Sequence, residues 1–327
     1  MTSYFRPAWW AKSPHVQTIL PVLTKRPTPA LTRERLELPD GDFLDLDWLG
    51  KAEDGKPLIL AIHGLEGSAR SHYASRLLHS CKAAGIAAVV HHHRSCSGEP
   101  NRLPRSYHSG DTQDLAHTLQ CIRHRLPHSP ILAVGYSLGG NVLGKYLGEL
   151  GKQSEITRAV VVSAPLQLSA CAKRLEKGFS RVYQSYLIRQ LQTKLAFKVN
   201  DARLGPAMPV LSQDVNSLQT FFEFDDKVTA PLHGFANVYD YYQRASGMPF
   251  LKNITTPTLV MHAADDPFMT DAVIPKSAEL SPAVEYELHS NGGHVGFIDG
   301  GSPWRPRFYL ERRILQFLTG GLHADPL

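Results

Sequence analysis

The feature that most restricts the fold of this chain is an alternation of short apolar runs with segments of helical spacing. Apolar runs lie at residues 58–62, 86–90, 131–134 and 159–162, and helix-spaced apolar residues separate each run from the next. Runs of this length suit buried strands. The alternation therefore predicts a mostly parallel sheet with helices on both faces and functional side chains at the carboxyl ends of the strands.

Three parts follow from the pattern along the chain. Residues 1–30 mix aromatic residues with prolines and are interpreted as an amino-terminal arm that lies across the folded body. Residues 31–164 and 250–327 carry the strand pattern and form the predicted core, which begins with a β-hairpin. Residues 165–249 interrupt the alternation, and apolar residues at helical spacing within 175–187 predict a helical cap inserted into the core.

Composition and charge exclude several classes of protein. The 327 residues are 43% hydrophobic and 20% charged, and the formal net charge of +5 comes without a long basic run, so nucleic-acid binding is not expected. The four cysteines lie far apart, which indicates neither a disulfide framework nor a zinc ribbon and predicts a cytoplasmic location. The first residues lack a signal-peptide pattern, and no apolar run reaches membrane-spanning length, so neither secretion nor a membrane span is expected.

A candidate nucleophile follows the third apolar run. Residues 135–139 read Gly-Tyr-Ser-Leu-Gly between a predicted strand and a predicted helix. In such a turn the serine, here Ser137, is forced out at the carboxyl edge of the sheet, and the glycines leave room for the cramped backbone. The N–H of Leu138 then lies at the helix start, where it can stabilise negative charge. The loop after the first run offers the N–H of Leu65 as a second donor.

An acid and a histidine stand where a serine nucleophile requires them. An imidazole must take the proton of the serine, and a carboxylate must orient the imidazole. In the α/β-hydrolase fold these groups follow the serine in the order aspartate, histidine, on loops after later strands. Asp265 and Asp266 follow the predicted strand at 258–261, and His294 follows the last predicted strand, at 284–288. Because Pro267 favours an extended chain before it, neighbouring side chains point to opposite sides, and only one aspartate can reach His294.

Other polar groups have simpler explanations. Three consecutive histidines, His91 to His93, are interpreted as strand-end residues that shape the pocket wall, since no third ligand completes a metal site. Cys96 is interpreted as a packed thiol rather than a second nucleophile. The first part of the cap has many basic residues and one acid, Glu176, and we favour a solvated helix face over a surface for anionic lipid or an acidic substrate. The basic residues are Lys173, Arg174, Lys177, Arg181, Arg189, Lys194 and Lys198.

Taken together, these motifs resemble those of the YheT-like hydrolases, which are related to the eukaryotic abhydrolase-domain lipases and esterases. The resemblance covers nearly the whole chain, and its motifs are specific in combination. One departure is Ser95, where the family usually has glycine after the arginine. The segments that carry the resemblance are 15–18 (His-Val-Gln-Thr), 63–68, 94–102, 107–110, 135–141, 224–226, 230–231, 233–235, 265–267 and 292–294.

The resemblance implies a serine carboxylesterase or monoacylglycerol-type lipase with Ser137, Asp266 and His294 as its triad, because the acid immediately before the proline orients the base in those hydrolases. No cofactor and no metal are implied. We expect short- to medium-chain acyl esters or monoacylglycerol-like lipids as substrates and a role in lipid metabolism, while transient contact with a membrane surface is left open. An acyltransferase that uses the same acyl-enzyme on Ser137 is one alternative, and a binding protein without turnover is another.

Overall fold

The computed structural model describes residues 5–320 and has an eight-stranded sheet at its centre. The strands are β1 (Thr32–Glu37), β2 (Phe43–Leu49), β3 (Leu58–Ile62), β4 (Ala87–His91), β5 (Ile131–Tyr136), β6 (Ile156–Val162), β7 (Thr258–Ala263) and β8 (Val284–His289). Their order across the sheet is β1-β2-β4-β3-β5-β6-β7-β8. The pairs β1–β2 and β2–β4 are antiparallel, and all other neighbours are parallel. The predicted α/β architecture with a mostly parallel sheet is confirmed.

Helices surround this sheet. They are α1 (Pro14–Leu23), α2 (His72–Ala83), α3 (Thr112–Arg125), α4 (Leu138–Leu150), α5 (Leu168–Leu175), α6 (Ser180–Asn200), α7 (Phe221–Phe224), α8 (Ala230–Leu232), α9 (Val238–Ala245) and α10 (Leu310–Thr319). A π-helical turn, Asp225–Thr229, joins α7 to α8. A separate two-stranded antiparallel sheet, β9 (Ile298–Ser302) and β10 (Arg305–Phe308), precedes the last helix.

The two faces of the central sheet bury separate apolar layers, because side chains alternate along a strand. Leu60 of β3 packs in one layer with α3 and α4, and Ile59 packs in the other with α2 and α10. Every residue of β3 and β5 is buried. Full burial of one such side chain contributes about 1.5–3 kcal/mol. These layers therefore fix the strands whose carboxyl ends carry the candidate site.

Between β6 and β7 the chain is helical, from α5 to α9, where the sequence predicts a cap. The boundaries drawn at 165 and 249 stay an interpretation. The helical spacing within 175–187 does not belong to one helix, because α5 ends at Leu175 and α6 begins at Ser180. Gly178 between them has a φ of 54°, in the left-handed region that glycine permits. Among the helices of residues 5–320, none has both the length and the apolar character needed to cross a bilayer.

Candidate active site

Ser137 lies in a tight turn between β5 and α4. Its backbone has φ 52° and ψ −121°, a conformation that residues other than glycine rarely adopt, and its N–H donates to the carbonyl oxygen of Val162 at 2.8 Å. A Cβ on Gly135 would clash with the carbonyl oxygen of Gly139, and a Cβ on Gly139 would clash with that of Ile62. The turn therefore presses the start of α4 against β3 and leaves the serine hydroxyl at the sheet edge.

The structure brings Ser137, His294 and Asp266 into one hydrogen-bonded chain. Nε2 of His294 lies 2.9 Å from Oγ of Ser137, and Nδ1 lies 2.8 Å from Oδ2 of Asp266. Asp266 is 4% exposed, and its other oxygen accepts the N–H of Phe268 at 2.8 Å. A carboxylate at Nδ1 favours the tautomer whose Nε2 can accept the serine proton.

The neighbouring carboxylate, Asp265, faces different groups. It accepts the N–H of Gly293 at 2.9 Å and lies 3.3 Å from Nδ2 of Asn291. Burial raises the pKa of this carboxyl above its ordinary value. Asp265 thus holds the loop around His294, whereas Asp266 bonds to the imidazole itself.

The loop after β3 places Leu65 beside Ser137. The N–H of the preceding residue, Gly64, donates to the buried hydroxyl of Tyr73 at 2.8 Å, which fixes the loop. Leu138 is the first residue of α4, so its N–H has no acceptor within that helix. Leu65 and Leu138 both line the cavity that contains Ser137, the position expected of two oxyanion donors.

Helix α1 of the arm supports the loop that carries His294. Oγ1 of Thr18 accepts the backbone N–H of His294 at 3.0 Å. The amide of Gln17 accepts the N–H of Ile298 at 2.6 Å and donates to its carbonyl oxygen at 3.2 Å. A Cβ on Gly296 would clash with the backbone of α1, so helix and loop are in close contact. The sequence pattern alone assigns no role to the arm. The His-Val-Gln-Thr segment, which is part of the resemblance, is the signal that could have pointed to this contact with the histidine loop.

Aromatic contacts continue from the arm to the imidazole. Phe268 stacks on His294 with ring centroids 4.0 Å apart and an angle of 2° between the planes. On α6, Tyr183 packs against Phe268 at 4.9 Å, and its hydroxyl lies 2.9 Å from Nδ1 of His15 in α1. The side chain of His294 is therefore held on one face by a ring that both the arm and α6 support.

Two adjoining cavities meet beside the serine. The first, of about 90 Å³, is lined by Ser137 and His294, and its apolar wall comes from α5, α6 and the loop after β7. The second, of about 100 Å³, is lined along α6 and includes charged side chains such as Glu66 and Lys194. Phe221 and Asp225 line both cavities. The apolar wall of the first cavity includes Leu168, Cys171, Ala172, Leu175, Leu187, Phe268 and Met269.

Asp225, in the π-helical turn, is a further polar group of the cavities that sequence reasoning missed. Its two oxygens lie 2.7 Å from the hydroxyl of Thr229 and 2.9 Å from the hydroxyl of Tyr242. Burial raises the pKa of this carboxyl to about 7. Residues 224–226 belong to the resemblance, which is the signal that could have drawn attention to it.

Two basic residues of the predicted solvated face turn inward, so that interpretation is wrong for them. Nζ of Lys194 lies 2.7 Å from Oε2 of Glu66 and 3.2 Å from Sγ of Cys96. Lys198 is 3% exposed, lies within 3.1 Å of four oxygens in the loop 103–106, and has its pKa lowered to about 7 by burial. Cys96 is a buried thiol whose pKa burial raises to about 12, in agreement with a packed side chain.

The three consecutive histidines are buried and bonded separately. His91 pairs with Thr118 at 3.0 Å, His92 with Asp47 at 2.9 Å, and His93 with a backbone carbonyl oxygen at 3.1 Å. None of them lines either cavity, so they do not form the pocket wall themselves; His93 stacks on Tyr107, which lines the second cavity, with ring centroids 4.8 Å apart. Within residues 5–320, no cluster of three or more His, Cys, Asp or Glu side chains is arranged to hold a metal ion.

Comparison with known proteins agrees with this geometry. A family model described as alpha/beta hydrolase fold matches residues 57–301. The candidate esterase YheT of Escherichia coli (strain K12) is 47% identical over 315 residues, which cover 95% of this chain and 91% of that protein. The chain belongs to the YheT-like α/β-hydrolase family.

Other members and neighbours extend this assignment. Human phospholipase ABHD3 is 31% identical to this hydrolase over 97% of the chain and 79% of the human protein. The monoacylglycerol lipase of Saccharomyces cerevisiae is 28% identical over 80% of the chain and 58% of the yeast protein. A hyperthermophilic esterase from Pyrobaculum calidifontis superposes with a TM-score of 0.53 at 15% identity, covering 94% of this chain and 87% of the esterase, a likeness of fold alone.

Proposed function

We propose that the protein hydrolyses carboxylic acyl esters through an acyl-enzyme on Ser137. The observation that carries this proposal is the hydrogen-bonded chain from Asp266 through His294 to Ser137 at the wall of an apolar cavity. Nε2 of His294 takes the hydroxyl proton while Oγ bonds to the ester carbonyl carbon. The resulting oxyanion accepts hydrogen bonds from the N–H groups of Leu65 and Leu138, each worth on the order of 3 kcal/mol in the transition state.

Loss of the alcohol completes the first half of the reaction, and water drives the second half. The imidazolium gives its proton to the departing alcohol, and the C–O bond of the ester breaks to leave the acyl-enzyme. Water then attacks the acyl carbon as Nε2 of His294 takes its proton. The imidazolium returns this proton to Oγ of Ser137 as the bond between Oγ and the acyl carbon breaks, and the acid is released. Asp266 stays ionised throughout and stabilises the imidazolium. These steps use no metal and no cofactor.

The first cavity supports a short to medium acyl chain as the preferred substrate. Its wall is mostly aliphatic, and its volume of about 90 Å³ is small beside the roughly 300–1,000 Å³ of many ligand pockets. Relatives named as a phospholipase and a monoacylglycerol lipase support lipid esters as the wider class. A monoacylglycerol-like ester would place its acyl chain in this cavity and its polar alcohol toward the cavity that contains Glu66 and Lys194.

A fluorophosphonate probe tests the activated serine directly, because only a hydroxyl with a working base reacts with it. We expect labelling of the parent protein, none of Ser137→Ala, and hydrolysis of p-nitrophenyl esters by the parent alone. An unlabelled parent protein with no turnover from acetate to palmitate would overturn the proposal.

Phe221 offers a test of where the acyl chain binds, because its ring stands between the two cavities. Phe221→Ala should join them and shift the best p-nitrophenyl ester by about two or more carbons toward longer chains. Phe222→Ala is the matched control, since its ring packs on Tyr239 at 5.4 Å and lines neither cavity. An equal shift in both variants, or none in Phe221→Ala, would contradict this binding mode.

A further inference from the structure

An uncharged helix exposes one apolar face at the surface. Helix α1 contains no charged residue, and its Gln17, Thr18 and Pro21 are buried against the body of the protein. Its other side exposes large aliphatic side chains, and Leu23 is 75% exposed. A helix at the surface of a soluble protein usually exposes charged side chains to water, whereas this side of α1 exposes aliphatic side chains. The exposed aliphatic residues are Val16, Ile19, Val22 and Leu23.

The first turns of α6 extend this surface. Phe179, Val182 and Tyr186 are exposed, with Tyr186 at 63%. His15 of α1 packs on Phe179 with ring centroids 4.4 Å apart, and Ile19 lies one helical turn beyond His15 on the same side. The two helices therefore form one continuous surface, which we call the apolar face: Val16, Ile19, Val22 and Leu23 of α1 with Phe179, Val182 and Tyr186 at the start of α6.

Positive charge borders the apolar face. Segments 12–26 and 173–189 contain one acidic residue, Glu176, against a set of exposed lysines and arginines. Within residues 5–320, none of these exposed basic side chains forms an ion pair. Unpaired cations around exposed aliphatic and aromatic side chains are complementary to a lipid surface: the cations can contact anionic headgroups, and the apolar side chains can contact the acyl chains. The exposed basic residues are Lys12, Lys25, Arg26, Lys173, Lys177, Arg181 and Arg189.

The apolar face also borders the candidate site. Leu175 and Leu187, on the two helices next to Gly178, line the cavity of Ser137. Tyr183 of α6 packs on Phe268, which lines the same cavity and covers His294. A lipid surface in contact with this face would therefore lie next to the entrance of the first cavity.

We propose that the apolar face docks the protein on a negatively charged lipid surface, with α1 and the first turns of α6 lying in the headgroup region. A second copy of the chain is the poorer occupant, because pairing two such faces would bring their positive borders together. Docking itself does not depend on the proposed hydrolysis, although it would deliver lipid esters to the cavity without passage through water.

Vesicle binding of the full chain tests this docking. We expect binding to phosphatidylcholine vesicles that contain phosphatidylglycerol, at least tenfold weaker binding to phosphatidylcholine alone, and a decline as salt rises from low to physiological strength. Leu23→Gln with Tyr186→Gln should weaken binding about tenfold or more, because both apolar side chains leave the interface. Lys177→Glu with Arg181→Glu should abolish the preference for anionic vesicles.

Matched controls keep the test decisive. Leu211→Gln with Tyr239→Gln removes the same residue types at positions 64% and 62% exposed outside the apolar face, and should bind like the parent. Each of three outcomes would overturn the proposal. The first is no vesicle binding at low salt, and the second is equal weakening of binding by the control pair. The third is a protein that does not bind vesicles but forms a dimer that Leu23→Gln with Tyr186→Gln disrupts. Ser137→Ala retains the apolar face, so this variant should bind vesicles as the parent does. Measuring its binding therefore separates docking from catalysis.

Discussion

Two adjacent aspartates differ in what they contact, and that difference sets a prediction. Asp266 bonds to Nδ1 of His294, whereas Asp265 bonds to the backbone of Gly293. Replacing a triad carboxylate by its amide leaves the imidazole in the wrong tautomer and costs about 10⁴ in turnover in a serine protease. We expect Asp266→Asn to lose 10³- to 10⁴-fold in kcat on the best ester, and Asp265→Asn to lose less than about tenfold.

Both variants should keep their fold, which circular dichroism and a thermal melt would verify. Steady-state kinetics then compares them. A larger loss in Asp265→Asn would reverse the two assignments, and small losses in both would mean that another acid orients His294.

Ser95 shows how a departure from a family pattern is accommodated. Its φ is 63°, in the left-handed region where glycine carries no penalty, which gives a physical reason for the glycine that related chains usually have there. Its hydroxyl bonds to the backbone N–H of Asn101 at 2.9 Å and to Oδ1 of the same residue at 2.6 Å. The serine thus ties the loop to Asn101, an interaction that glycine could not provide.

At the scale of elements, α1 acts on the candidate base through one hydroxyl. Thr18→Val removes the acceptor for the N–H of His294 while keeping the shape of the side chain. Because small displacements of a reacting group are costly, we expect kcat to fall about tenfold or more with little change in KM. Ester hydrolysis by Thr18→Val and Thr18→Ser measures the effect, and the serine variant should restore most of the activity.

The residue directly after α1, Thr24, supplies a control for this prediction. Thr18 and Thr24 each donate a hydrogen bond to the carbonyl oxygen four residues earlier, at 2.7 and 2.8 Å, but Thr18 alone of the two meets the histidine loop. Thr24→Val should therefore retain full activity. If both valine variants lost activity equally, the contribution of α1 would be general stability rather than the position of His294.

For the whole molecule, the carboxyl of Asp225 predicts a dependence of stability on pH. Its pKa rises from 3.8 to about 7 in the folded protein, mainly through burial. The folded chain therefore keeps a proton that the unfolded chain releases between about pH 4 and 7, and stability falls as pH rises through that window. Asp225→Asn removes this titration and retains groups that can bond to Thr229 and Tyr242.

Urea unfolding of parent and Asp225→Asn at pH 5 and pH 8 measures the effect. We compare the free energy of unfolding of the variant with that of the parent at each pH. This difference should favour the variant by on the order of 2 kcal/mol more at pH 8 than at pH 5. The comparison between the two proteins cancels the contribution of Asp111, whose pKa burial also raises to about 7. A free-energy difference that is the same at both pH values would contradict the assignment.

The strands and the order of serine, aspartate and histidine could be predicted because they depend on local period and on strand ends. The contact of Thr18 with His294 joins residues 276 positions apart, and no local pattern encodes it. The inward turn of Lys194 depends likewise on Glu66 and Cys96, which lie on two distant loops, after β3 and after β4. The hydrogen bonds place the predicted triad residues together, while their catalytic roles stay predictions until turnover is measured.

The contact between α1 and the histidine loop also constrains when activity can begin during synthesis. Residues 14–23 are synthesised long before the loop at 292–298 that they support. Until the loop at 292–298 is made, the inner side of α1 has no loop to pack against, so both sides of the helix are exposed and chaperones can bind them. A nascent chain therefore contains Ser137 well before it contains His294, so the predicted triad cannot assemble until the segment at 292–298 has been made.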